Sequence, residues 1–203
     1  MLATLDRKIR QMYAALGALG TADLSAVQPQ FAQDGAYTTM KVDFNADADP
    51  IELANAASLL VANIASIKDH LKAWCKNKKL PFQGDALINS NKSVALVHDL
   101  WNIDKHAELK SRPRSGHNAK IHGLRQALVL TTGMAAGSSV FYSVDPRSGN
   151  VTTGSTGGGS AKLSLVAQIV DEHNNVLGDF TTTCTEAVEA WERELAAAGV
   201  SPP

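Results

Sequence analysis

His98, Asn102 and His106 recur every four residues in the stretch Val94-Ala95-Leu96-Val97-His98-Asp99-Leu100-Trp101-Asn102-Ile103-Asp104-Lys105-His106. At roughly 100° per residue such positions stack on one face of a helix, with Asp99 and Lys105 beside them. Val94, Val97, Leu100 and Trp101 take the other directions. Imidazoles on such a stripe could trade protons near neutral pH. With carboxylates they could instead hold Zn, Fe or Mn. Polar groups on a mostly buried helix are costly unless partnered, so something must meet the stripe.

Asp69 and His70 are the first candidates to meet it, because they lie on the preceding long helix. Three readings follow. In the first, Asp69, His70, His98 and Asp99 form a structural network with Asn102, Lys105 and His106, fixing helix register. In the second, His106 is an acid–base group with Asn102 and Lys105 as companions. In the third, His70, His98 and His106 bind a metal. No tight ligand motif such as His-Glu-x-x-His is present, and neither a metal nor a cofactor is expected.

The stripe runs into Lys110-Ser111-Arg112-Pro113-Arg114-Ser115-Gly116-His117-Asn118-Ala119-Lys120, which carries no acidic residue. Lys110, Arg112, Arg114 and Lys120 suit phosphate contacts by charge and forked hydrogen bonding. No aromatic residue interleaves them to stack bases. The segment Ser148–Ser160 is rich in glycine but lacks the Gly-Lys-Ser/Thr ending of a phosphate-binding loop. It reads as a flexible hairpin connection. Cys75 and Cys184 read as reduced thiols, Cys75 beside the core stripe.

The elements that position these groups are legible from periodicity. Leu5, Ile9, Met12 and Leu16 predict a first helix, and Tyr37–Phe44 a strand. Asp49, Pro50 and Glu52 form the opening of a helix from Ile51 to about Lys76, about 39 Å long if straight. Leu53, Ala57, Leu60, Ile64, Ile67, Leu71 and Trp74 are its core stripe. A connection of roughly 14 residues would let it pack antiparallel to the polar-striped helix, about 92–110, capped near Asn89 or Asn91. Alternation predicts strands near 127–132, 140–143 and 163–169, then a turn at Asp171–Asn175 and a strand Val176–Thr182. Thr183-Cys184-Thr185-Glu186 reads as a capping box opening a last helix through Ala198.

The expected architecture is α+β: a helical hairpin and terminal helices packed on an antiparallel β-sheet. It is drawn as a single domain over 1–203, helical to about 112, β-rich over about 117–183, with a closing helix over about 184–198. At 203 residues, 44% hydrophobic and 19% charged, with a net charge of −1, the chain is an ordinary globular sequence with no global pull toward nucleic acid. No apolar run is read as long enough to span a bilayer, and Met1–Lys8 does not read as a signal peptide. The expected location is cytoplasmic, the expected partner RNA or another protein rather than a membrane.

On Asp69-His70-Leu71, Leu100-Trp101-Asn102-Ile103-Asp104-Lys105-His106, the hairpin at Asp171–Asp179 and Ala187–Trp191, the chain resembles a group of bacterial and phage proteins without an assigned activity. More distantly it is similar to HEPN-type helical domains, many of them metal-independent ribonucleases or nucleotide-binding modules. Their signature is an Arg, a polar residue and then a His on one helix. Here Asn102 and His106 match the polar residue and the His, and the Arg is missing. The resemblance implies an RNA-cleaving or RNA-binding domain using His106. The residues themselves favour a binding or interaction domain with a structural His/Asp/Asn network.

Overall fold

Asparagine at 91 starts the helix that matters most: its side-chain oxygen accepts the Val94 N–H at 3.0 Å, satisfying a donor the helix cannot. The computed structural model describes residues 2–21, 29–34, 37–42, 44–45, 48–106, 112–132, 136–145, 147–148 and 150–200. In chain order the elements are α1 (Leu2–Gly17), β1 (Gly20–Thr21), β2 (Pro29–Asp34), β3 (Tyr37–Val42), α2 (Pro50–Ala65), α3 (Ile67–Lys78), α4 (Gly84–Ser90) and α5 (Lys92–His106). There follow β4 (Lys120–Thr131), β5 (Ser139–Val144), β6 (Val151–Thr156), β7 (Ser160–Val170), β8 (Val176–Asp179) and α6 (Phe180–Ala197). The fold is α+β.

By contact the chain divides into two compact units: residues 1–18, 51–124 and 166–203 in the first, 19–50 and 125–165 in the second. This division does not follow the helical-then-β halves drawn from the sequence, because the second unit takes strands from both.

In the first unit, α5 packs chiefly on α6 and α4, and α1 packs on α3 and α6. Ile9, Met12, Ile64, Leu71, Trp191 and Leu195 are among its fully buried side chains. The long helix expected over 51–76 is two helices. Ser66 Oγ donates to the Ala62 carbonyl at 2.6 Å and reaches the Asn63 carbonyl at 3.2 Å, the back-bonding that bends helices. The second piece ends at Lys79, whose φ of 57° is left-handed. The roughly 14-residue connection contains α4, so the simple hairpin gives way to a chain of contacts from α3 through α4 to α5. Pro50–Lys78 is, by length and composition, apolar enough to cross a bilayer, which corrects the expectation that no run qualifies. Core helices meet the same two measures, and Leu60, Ile64, Ile67 and Leu71 are fully buried.

The last helix starts earlier than its apparent capping box. Asp179, not Thr183, is the N-cap, accepting the Thr182 N–H at 2.8 Å. Phe180, Thr183 and Cys184 are buried in the first turns, so this β-branched run is helical rather than the end of a strand. The turn before β8 is held by Asp171, whose carboxylate accepts the His173 N–H at 2.9 Å and the Asn175 N–H at 2.8 Å. Asn174 there takes a φ of 65°, a conformation asparagine tolerates.

In the second unit, Leu163 packs with Phe44, Leu128 and Val151. Asn45 brackets Gln126, its Oδ1 accepting the N–H at 2.6 Å and its Nδ2 donating to the carbonyl at 3.2 Å. β2 and β3 form an antiparallel pair; only β3 was expected. β1 pairs antiparallel with Leu163 and Ser164 of β7; in the first unit, β8 pairs antiparallel with Gln168–Val170 of the same strand. The glycine-rich stretch is not all connection, since β6 lies within it, paired antiparallel with β5. At Gly154 a Cβ would stand 2.3 Å from the tip of the exposed Phe141 ring, which would have to move aside.

Candidate functional site

Once Asn91 has fixed the register of α5, its polar positions acquire definite partners. Asp99 is 1% exposed, yet its two carboxylate oxygens accept the backbone N–H groups of Arg114 at 3.0 Å and Ser115 at 2.7 Å. Burial pushes this carboxyl up, but the His98 ring beside it and the hydrogen bonds from Ser115 and Arg114 outweigh that and hold the group below the usual carboxylate range. The segment after α5 is therefore clipped back onto the helix through its main chain.

His98 and Asn102 satisfy each other, with the Asn102 amide 3.0 Å from His98 Nδ1. The His98 ring meets Trp101 edge-on, centroids 6.1 Å apart. Lys105 lays its ammonium over the Trp101 ring at 4.9 Å, a cation–π contact. Ser93 donates to Glu186 on α6 at 2.6 Å. The stripe is thus consumed largely within α5 and its neighbours.

Asp69 and His70 do not join it. Asp69 is exposed, and among the described residues no hydrogen bond or ion pair links either to His98, Asp99 or Asn102. Burial lowers the His70 pKa, helped by Lys8 and Arg7 of α1 and partly opposed by Asp69. Lys8 itself donates to Asn63 at 2.8 Å. The proposed link fails because the α3 face carrying His70 looks toward α1. Among the described residues no group of three His, Cys, Asp or Glu is placed to hold a metal. The His106 side chain lies outside the described residues, as does Lys110.

Of the basic residues, Arg112, Arg114 and Lys120 are exposed. Arg114 spends its guanidinium on Asn89 Oδ1 at 2.6 Å. Cys75 and Cys184 are both buried and free, and burial pushes the Cys184 thiol up to about 12.

Beside α5 a half-open cleft of about 190 Å³ is lined by Ser58 and Val61 from α2, Leu100, Ile103 and Asp104 from α5, and Ala119, Lys120 and Ile121. Sequence reasoning missed it because its apolar residues belong to three separate elements. It also missed the two N–H groups on Asp99, since backbone donors carry no residue signature. Trp101 was read only as apolar, although it is the ring on which His98 and Lys105 meet.

No family model, curated protein or solved structure matches the chain.

Proposed function

We propose that the chain is a binding domain that presents the segment 112–120 to an acidic partner, with the polar groups of α5 acting structurally. The observation that carries this reading is the pair of N–H bonds to Asp99, which fixes the segment beside α5 while leaving Arg112 and Lys120 exposed. An anchored loop loses less entropy on binding than a free one. A cytoplasmic location belongs to the same reading and is supported by two unpaired, buried cysteines.

Labelled single-stranded RNA is the probe. If about three phosphates are contacted, a fourfold rise in salt weakens binding about 20-fold. Arg112→Glu should weaken it further at low salt without changing the melt. Salt-independent binding, or none, would remove RNA as the partner.

A second reading, metal-independent RNA cleavage by a HEPN-like site, is favoured by one observation: Asn102, Lys105 and His106 occupy the last two turns of α5, directly before the basic segment. Cleavage of labelled RNA in chelator by the wild type, lost in a His106→Ala variant of equal stability, would support it. Equal cleavage by both proteins, or none by either, would count against it.

A further inference from the structure

We propose that the cleft between α2, α5 and the start of β4 binds a small aliphatic zwitterion, an apolar amino acid being the simplest member of the class. Its volume is about 190 Å³. A cavity of about 150 Å³ with aliphatic walls takes up benzene, so a branched four-carbon side chain fits. Val61, Ile103 and Ile121 supply the apolar lining, and Ser58, Asp104 and Lys120 add one hydroxyl and two opposite charges.

Asp104 and Lys120 are exposed at the rim, Ser58 is half-buried, and all three side chains lack a hydrogen-bond or ion-pair partner among the described residues. Apolar walls with a few convergent polar groups are the ordinary composition of a small-molecule site. Here the polar groups select a ligand of both signs. An ammonium is met by Asp104, a carboxylate by Lys120, and Ser58 can donate or accept. A simple hydrocarbon would leave both charges unused, and a plain anion would face Asp104 with nothing to offer it.

The experiment is calorimetric titration with L-leucine, with 4-methylpentanoate, which lacks the ammonium, and with 3-methylbutylamine, which lacks the carboxylate. Leucine should bind saturably with a Kd on the order of 0.1–1 mM, and each truncated compound at least tenfold more weakly. Asp104→Asn should erase the preference for leucine over 4-methylpentanoate. Lys120→Met should erase the preference over 3-methylbutylamine. Ser58→Phe, which fills the cleft, should abolish binding; if it fails to melt like the wild type, the two charge variants decide. Arg112→Glu should leave leucine binding intact while weakening RNA binding, which tells the two readings apart although Lys120 belongs to both. The proposal is overturned if leucine does not bind saturably, or if both charge variants bind all three compounds as the wild type does.

Discussion

Asp99 is buried and holds two backbone donors of the segment that follows its helix. Its removal as Asp99→Ala leaves two N–H groups without their acceptor, at a cost of about 1–3 kcal/mol. Asp99→Asn keeps one acceptor oxygen and should cost less; urea melts of the two variants measure the difference. Because the folded pKa lies below the unfolded one, the carboxylate's stabilisation is complete above the ordinary Asp range. It is lost as pH falls from there through the folded value. Asp99→Asn should therefore flatten the acid limb of the stability curve. His70 acts in the same direction at higher pH. Its lowered pKa means that stability falls as pH drops from about 6.5, and His70→Asn should remove that slope in melts between pH 7 and 5. At this scale the sequence made Asp99 and His98 visible as polar residues in an apolar helix. It paired His70 with the wrong helix, since a residue list shows which groups share a face but not which neighbour that face meets.

Among the elements, helix starts were legible where a cap was chemically distinctive and misread where two caps competed. Pro50 and Asn91 stand where expected. At the last helix, Thr183-Cys184-Thr185-Glu186 imitates a capping box, while Asp179 four residues earlier makes the bond. Asp179→Ala should lower stability by about 1 kcal/mol, with Thr182 amide exchange accelerated. Thr183→Ala should leave that amide protected. Ser66 was invisible in an unbroken apolar stripe, because a one-residue interruption whose backbone stays helical leaves the periodicity unchanged. Ser66→Ala should change stability by no more than about 0.5 kcal/mol, and chemical shifts should report a more regular helix from Ala62 to His70. β6 was hidden by the glycines and serines around it, which favour loops by composition, although its Val151, Thr152 and Thr153 suit the strand that pairs with β5.

Across the whole molecule, the α+β class was legible from helical and alternating periods. The division into two interleaved units was not, because residues 19–50 and 125–165 meet only in space. The units should differ in local stability. β5 and β6 form a two-stranded sheet with Phe141 and Tyr142 exposed, and such pairs are marginal alone. Their amides should exchange at least about tenfold faster than those of Leu96 and Leu100 in α5 under native conditions; comparable protection would contradict this.

The order in which the chain leaves the ribosome sets a further condition. Both α1 and α5 pack on α6, which follows them in the chain. Until Trp191 and Leu195 have emerged, α1 and α5 rest on α3 and α4 but lack the α6 part of their cover. A nascent chain stalled before Phe180 would hold most of its secondary structure and bind a holdase chaperone. Chaperone release should then coincide with the arrival of this one helix.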